Sequence, residues 1–236
     1  MKNVNDMLAG LNDLVNNPTP RIAVGLCLDV SGSMGGAPIE ELNRGVEEYL
    51  SQMRSNDMTR YSAETAVVTF ASDVKKLSGF KLPDDIHLPE MTAYGNTYMG
   101  EGLMEILDQL DRRKQQYKAT GVDYYQPMLV VMSDGRPNGS WDTLEDAIER
   151  ISELAQNRKL TVAAVGIGPQ ADMETLARIS PITPPVRLDE IQFHEFFAWL
   201  SQSVAEISAS QPDCESGPDM DALAALAAEV WPSQSL

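Results

Sequence analysis

The chain has 236 residues, of which 43% are hydrophobic, and its formal net charge is −17 at pH 7. A chain of this length can bury one substantial core, so we expect one main domain of roughly 190 residues with short extensions. The negative charge argues against binding to nucleic acid, whose phosphates need cations, and against binding to an anionic membrane surface. The same charge attracts cations, as a metal site would.

Cysteine usage and the absence of long apolar runs indicate the cellular compartment. Cys27 lies within an apolar stretch and Cys214 lies near the C-terminus, so we expect no disulfide between them. No apolar run is long enough to span a bilayer, and the N-terminal residues do not have the pattern of a signal peptide. We therefore expect a cytoplasmic protein.

The hydrophobic pattern predicts strands alternating with helices along most of the chain. Short apolar runs predict strands at residues 22–28, 65–70, 74–80, 127–133, 160–167 and 186–188. One-sided apolar spacing predicts helices at residues 3–16, 39–53, 99–116, 143–157, 173–179, 193–207 and 221–231. The strand at 74–80 contains two lysines and is more polar, as at the edge of a sheet. Such alternation is typical of an α/β fold with a Rossmann-like, doubly wound, mostly parallel sheet.

The two ends of the chain differ from its middle. We divide the chain into an N-terminal amphipathic helix at 1–18, a domain at 19–210, and an acidic linker with a C-terminal amphipathic helix at 211–236. The terminal helices either pack on the domain or on each other, or they form a docking surface for a partner.

Oxygen-bearing side chains occur in three loops at the predicted carboxyl edge of the sheet. They are Asp29, Ser31 and Ser33 after the first strand, Thr97 before the 99–116 helix, and Asp134 after the fourth strand. Open α/β sheets bind ligands in the crevice at this edge. Carboxylates and hydroxyls with no nearby His or Cys suit Mg²⁺ better than Zn²⁺. The alternative is that each Ser or Asp only caps the helix that follows.

Three sequence motifs carry these five residues. They are Asp-Val-Ser-Gly-Ser-Met from Asp29, Gly-Asn-Thr-Tyr-Met-Gly from Gly95, and Ser-Asp-Gly-Arg-Pro from Ser133. Together they resemble the metal-ion-dependent adhesion site, or MIDAS, of von Willebrand factor A (VWA) domains, and the resemblance extends over about residues 20–210. It implies a sheet of order 3-2-1-4-5-6 in which only the 74–80 strand is antiparallel.

The resemblance also implies a role for each side chain. Ser31 and Ser33 would bind the ion directly, and Thr97 would do so in the ligand-competent state. Asp29 and Asp134 would act largely through water and hydrogen bonds. Neutral hydroxyls leave the ion electrophilic, so it would complete its octahedron with an Asp or Glu of a protein partner.

Two parts of this assignment have alternatives: the residue that binds the ion from the second loop, and the identity of the ion. In the second loop Thr92 lies close by, but Thr97 fits better because Gly95 and Gly100 bracket it at the entrance of the helix. The small hydroxyl-lined site favours Mg²⁺, with Mn²⁺ or Ca²⁺ as alternatives.

Within the VWA superfamily, three stretches are similar to the bacterial TerY-like proteins associated with tellurium resistance. These stretches are residues 39–43, 133–137 and 196–204. The leading hypothesis is therefore a non-enzymatic, metal-dependent protein-interaction module of a bacterial stress-response system. A rim of loop residues would set the specificity for the partner: Met34, Tyr94, Tyr98, Arg136, Asn138 and Trp141.

Three other hypotheses come from the same residues. A Mg²⁺-dependent phosphatase or other hydrolase would use the same edge, but Ser31 stands where an aspartyl-phosphate enzyme usually has a second carboxylate. Only His87 and His194 could serve as its base. A structural scaffold would never use the ion. Finally, self-association could bring acidic tail residues to a neighbour's metal; these are Asp213, Glu215, Asp219 and Asp221.

Overall fold

The computed structural model describes residues 14–15, 17–188 and 193–210. Apart from Leu14 and Val15, the predicted N-terminal helix lies outside the described residues. The acidic linker, the predicted C-terminal helix and Cys214 also lie outside them. The predicted domain boundaries therefore stay a prediction.

Six strands form a single sheet. They are β1 (Ile22–Asp29), β2 (Ala63–Phe70), β3 (Val74–Lys81), β4 (Met128–Ser133), β5 (Thr161–Ile167) and β6 (Val186–Leu188). Their order in the sheet is β3-β2-β1-β4-β5-β6. β3 runs antiparallel to β2, and the other neighbouring strands are parallel. The predicted strand order and the single antiparallel edge strand are confirmed.

Helices cover both faces of the sheet. They are α1 (Ala37–Ser55), α2 (Asp57–Ser62), α3 (Met99–Thr120), α4 (Trp141–Gln156), α5 (Met173–Ile179) and α6 (Phe193–Ala209). The short α2 was not predicted; the side chain of Asn56 caps it by accepting hydrogen bonds from the backbone N–H groups of Met58 and Thr59. In the described part of the chain, no helix combines the length and apolarity needed to span a bilayer.

The core has two layers, one on each face of the sheet. One layer packs side chains of α1 and α6 on the sheet, and the other packs those of α3, α4 and α5. β1 lies at the centre and is buried along its whole length. Cys27 in β1 points into the second layer, and burial raises the pKa of its thiol. It is therefore an unreactive core residue.

A buried ion pair fixes α3 against β2 at the end of the sheet opposite the three loops. Glu64 of β2 accepts two hydrogen bonds from the Arg113 guanidinium, each 2.6 Å long, and a third of 2.6 Å from the Tyr117 hydroxyl. Bidentate pairing of this kind restricts both position and orientation. Because α3 begins two residues after Thr97, this contact also constrains the loop at the other end of the helix.

A substitution at the contact between α1 and α6 tests how closely the first layer of the core is packed. A Cβ atom on Gly45 would lie 2.3 Å from ring carbon Cδ2 of Phe197. We expect Gly45→Ala to destabilise the protein by about 1–2 kcal/mol, because overpacking outweighs the gain of about 1 kcal/mol in helix propensity. Urea unfolding measures the change. Arg44→Ala, at an exposed position of the same helix, is the control and should alter stability by less than about 0.5 kcal/mol. Equal stability of the two variants would contradict the close helix contact.

Candidate metal centre

Asp29 ends β1 and organises the first loop. It is fully buried. Its Oδ1 accepts a hydrogen bond of 2.8 Å from the backbone N–H of Ser31, and its Oδ2 accepts one of 2.5 Å from the Ser133 hydroxyl. Burial raises the pKa of Asp29 to about 6, although the hydrogen bonds from Ser133 and Ser31 lower it. The carboxylate thus joins the loop after β1 to the end of β4.

The two serines of the first loop connect Asp29 to Asp134 through hydrogen bonds. A hydrogen bond of 3.1 Å joins the hydroxyls of Ser31 and Ser33, and the Ser33 hydroxyl donates a bond of 2.8 Å to Oδ1 of Asp134. Burial raises the pKa of Asp134, and the bond from Ser33 opposes this shift. The Ser33 hydroxyl therefore lies within hydrogen-bond distance of an oxygen of its own loop and of an oxygen of the third loop.

The backbone of the second loop is held between the other two loops. The N–H of Gly32 donates to the carbonyl of Gly95 at 3.1 Å, which places the second loop beside the first. The N–H of Thr97 donates to Oδ1 of Asn138 at 2.7 Å, and the N–H of Asn138 donates to the Thr97 carbonyl at 3.1 Å. Thr97 is buried, whereas Thr92 is exposed. All three loops therefore converge.

The spacing of these oxygens fits a small hard cation. Mg²⁺ binds oxygens at about 2.1 Å in an octahedron, which places neighbouring ligands about 3 Å apart. The Ser31–Ser33 and Ser33–Asp134 oxygen separations are 3.1 and 2.8 Å. No group of three or more His, Cys, Asp or Glu suited to a metal occurs among the described residues. Any ion here would therefore depend on hydroxyl oxygens, and the assignment of the five residues as ligands stays a prediction.

Supporting residues of the site were missed from the sequence. Ser133, which holds Asp29, directly precedes Asp134 in the third motif, so its position was a usable signal. The Ser72 hydroxyl accepts a hydrogen bond of 2.8 Å from the N–H of Asn96. A Cβ on Gly95, whose φ is +69°, would lie 2.4 Å from that hydroxyl. Glycine is thus needed at this position for both its conformation and its size.

Asn43 of α1 holds the second loop from the helix side. Its Oδ1 accepts a hydrogen bond of 2.8 Å from the N–H of Met91, and its Nδ2 donates to the Met91 carbonyl at 2.8 Å. Nδ2 also donates to the carbonyl of Ile39 at 2.8 Å. Because α1 follows the first loop directly, Asn43 ties the second loop to the element that carries Ser31 and Ser33.

The predicted rim is only partly exposed. Met34 is wrong as a rim residue: it is fully buried, because the 3₁₀ turn Gly32–Met34 directs its side chain into the core. Arg136 and Asn138 are exposed, and Trp141 is 59% exposed at the start of α4. Tyr98 is half-buried directly before α3. Tyr94 is half-buried, and its hydroxyl donates to Asp73.

Comparison with known proteins identifies the fold. The sequence model of the von Willebrand factor type A domain matches residues 24–188, well over half of the chain. The chain belongs to this family. The match contains all five predicted metal ligands of this VWA protein. No curated protein sequence matches the chain significantly.

Several solved structures share the VWA fold at low sequence identity. A von Willebrand factor type A protein from Catenulispora acidiphila is 15% identical, with a TM-score of 0.57; the match covers 79% of this chain and 43% of that one. The vWF domain of the type V pili tip protein Mfa5 from Porphyromonas gingivalis is 13% identical, with a TM-score of 0.58 and coverage of 83% and 98%. The PilB minor pilin from Streptococcus sanguinis is 12% identical, with a TM-score of 0.56 and coverage of 80% and 62%. The chain thus spans less than two thirds of the first and third of these proteins.

The buried charge of Asp29 yields a stability prediction. Asn is nearly isosteric with Asp and can still accept the hydrogen bond from Ser31, but it carries no charge to desolvate. We expect Asp29→Asn to stabilise the protein in EDTA at pH 7 by about 1–3 kcal/mol, measured by urea unfolding. The exposed variant Asp142→Asn is the control and should change little. A less stable Asp29→Asn protein would contradict a net cost of burying the charge of this carboxylate.

The role of Asn43 can be measured by hydrogen exchange. Asn43→Ala leaves the Met91 N–H without its acceptor, so exchange protection across residues 91–97 should fall about tenfold or more. Arg54→Ala is the matched control, because Arg54 of the same helix donates to the carbonyls of Pro83 and Ile86 instead. It should affect residues 83–86 and leave 91–97 protected. Equal loss of protection at 91–97 in both variants would contradict a specific role for Asn43.

Proposed function

We propose that this VWA protein is a non-enzymatic, Mg²⁺-dependent protein-interaction module that binds an acidic group of a protein partner. The observation that carries the proposal is the Ser31–Ser33–Asp134 series of oxygens at the spacing of an octahedral ion. Mn²⁺ or Ca²⁺ could take the same position, with Mg²⁺ favoured by the small site.

We assign the residues of the site two kinds of role. Ser31, Ser33 and Thr97 would hold the ion through their hydroxyls. Asp29 and Asp134 would act through water and hydrogen bonds and neutralise its charge. When bound, the ion supplies an electrophilic position that attracts an anionic oxygen. Arg136, exposed on the third loop, could pair with a second acidic group of the same partner.

The buried charges also support a bound cation. Burial raises the pKa values of both Asp29 and Asp134, which means that the environment disfavours two negative charges without compensation. A divalent cation beside them would offset that cost. In a purely structural scaffold, only the hydrogen bonds to the two carboxylates would offset the cost of burying them.

The VWA family and the solved structures that share its fold support a role in protein–protein interaction. Two of the structures that share the fold are named a pili tip protein and a minor pilin, which are components of assemblies. For this chain we propose a protein partner offering Asp or Glu, and neither nucleic acid nor membrane. Self-association through the acidic tail stays a prediction, because those residues lie outside the described part of the chain.

We further propose a place in a bacterial stress response of the tellurium-resistance type. This rests on the TerY-like stretches at 39–43, 133–137 and 196–204. Two of the stretches contain site residues, since Asn43 holds the second loop and Asp134 accepts the bond from Ser33. The cytoplasmic location stays a prediction from cysteine usage.

The hydrolase alternative gains no support from the positions of the histidines. His194 lies at the start of α6, where its Nδ1 is 2.7 Å from Oε2 of Glu48. His87 is exposed in the loop after β3. Within the described residues, neither histidine makes a hydrogen bond to the five predicted ligands. Phosphatase and nucleotidase assays test this alternative, and turnover that disappears in Asp29→Ala would establish it in place of our proposal.

Metal binding is tested by thermal unfolding with and without Mg²⁺. At a hundredfold excess over Kd, the ion should stabilise the protein by about 2.7 kcal/mol relative to EDTA. Ser33→Ala should lose this stabilisation, and Ser51→Ala, an exposed serine of α1, should keep it. Identical melting of the wild type in Mg²⁺ and EDTA would contradict the proposal.

The partner can then be sought by comparing two baits. Wild-type and Ser33→Ala proteins are used side by side to capture proteins from the native host in Mg²⁺. Partners that depend on the ion should be captured by the wild type and lost with the variant or on addition of EDTA. Capture of the same set by both baits would argue for a surface that does not involve the ion.

A further inference from the structure

β3 stands out in charge from the rest of this acidic protein. The chain contains seven lysines, and three of them, Lys75, Lys76 and Lys81, lie in this one strand of eight residues. All three are exposed, and the strand contains no acidic residue. In a chain of net charge −17, β3 is therefore a local strip of positive charge.

β3 also has an outer edge that no described strand covers. It lies at the end of the sheet and pairs with β2 on one side; among residues 14–15, 17–188 and 193–210, no strand pairs with its other side. An edge of this kind presents backbone N–H and C=O groups that can pair with another extended segment. Lysines on such an edge can also serve only to prevent aggregation, so the two roles must be separated by experiment.

The start of β3 is joined directly to the candidate metal centre. The turn from Ala71 to Asp73 connects β2 to β3, and the Ala71 carbonyl accepts a hydrogen bond of 2.9 Å from the N–H of Tyr98, next to Thr97. The Lys75 ammonium lies 4.4 Å from the centroid of the Tyr94 ring. The Tyr94 N–H in turn donates to the Val30 carbonyl at 2.9 Å. The positive strip therefore begins beside the loops that carry the predicted ligands.

The sheet sets the distance between the two features. The order β3-β2-β1 places β3 two strand spacings from β1, so a segment added to the outer edge of β3 lies three spacings from the end of β1, which is about 14 Å. An extended chain advances about 3.3 Å per residue. About four residues therefore span the gap between a carboxylate on the ion and a segment paired with β3.

We propose that β3 is the docking edge for an extended acidic segment of the partner protein. The backbone of that segment pairs with β3, acidic side chains on its two faces lie near Lys75, Lys76 and Lys81, and an Asp or Glu about four residues away reaches the ion. This inference rests on the proposed function for the last contact only. Backbone pairing supplies affinity, and the lysines select an acidic sequence over a neutral one.

The probe is a fluorescein-labelled synthetic peptide measured by anisotropy with the full chain. It contains one aspartate, a four-residue Gly-Ser spacer and a six-residue segment with Glu at two odd and two even positions and Val at the other two, because Lys75 and Lys76 point to opposite faces of the sheet. We expect binding in Mg²⁺ that weakens as salt is raised. The double variant Lys76→Glu with Lys81→Glu should weaken binding by about tenfold or more. The control, Lys118→Glu with Lys159→Glu, makes the same change in net charge at exposed positions of α3 and the α4–β5 loop, and should weaken binding less than about threefold.

A second peptide separates strand pairing from simple attraction. It has the same sequence with alternate backbone nitrogens methylated, so its charge is kept and its pairing edge is blocked. Loss of its binding supports pairing with β3. Equal binding of the two peptides, or equal loss in the two lysine double variants, would overturn the inference. Absence of any binding by the first peptide would overturn it as well.

Two further measurements separate the docking of a segment on β3 from the proposed ion-dependent function. Replacing the probe's aspartate by asparagine, or replacing Mg²⁺ by EDTA, should weaken binding without abolishing it. If EDTA has no effect while the Lys76→Glu and Lys81→Glu variant fails to bind, β3 docking holds and the ion-dependent function fails. If Mg²⁺ stabilises the protein but the lysine substitutions do not weaken peptide binding, the ion-dependent function holds and β3 docking fails. Dimerisation that this lysine variant abolishes would assign the edge to a second copy of the chain and overturn our choice of occupant.

Discussion

The structure depends on a buried carboxylate at the end of its central strand. Asp29 is fully buried, and its two oxygens bind the N–H of Ser31 and the hydroxyl of Ser133. These contacts join the loop after β1 to the end of β4, two elements that are distant in sequence and adjacent in the sheet. Desolvating this charge costs stability, as the raised pKa of the group indicates. We propose that this charge serves to attract a cation.

The rest of the fold places oxygens around that carboxylate. The sheet order puts β1 between β2 and β4, so the loops that follow these strands meet at one edge. α3 begins two residues after Thr97 and is fixed at its far end by the ion pair between Arg113 and Glu64. Asn43 and Asn138 hold the second loop from two sides. Rigid elements therefore position side chains that lie on irregular backbone.

The strands were predictable because their physical signal is local, whereas their order in the sheet was implied by the resemblance to VWA domains. β1 and β4 are covered on both faces, so their sequences are continuous apolar runs, and β3 is polar because it lies at an edge. α2 was missed because six residues are too few to show a helical period. Met34 was wrongly placed on the rim because a linear motif does not reveal how a 3₁₀ turn directs a side chain. Asn43 could not be recognised, since its partner Met91 lies 48 residues away in an irregular loop.

The most direct test is to locate an ion in the loop edge. Crystals grown with Mn²⁺, which scatters anomalously and replaces Mg²⁺ at oxygen sites, should give an anomalous peak at about 2–2.3 Å from the hydroxyl oxygens of Ser31 and Ser33. Ser33→Ala crystals should lose the peak. No peak at this edge at saturating Mn²⁺, or a peak only at carboxylates elsewhere on the surface, would contradict the account.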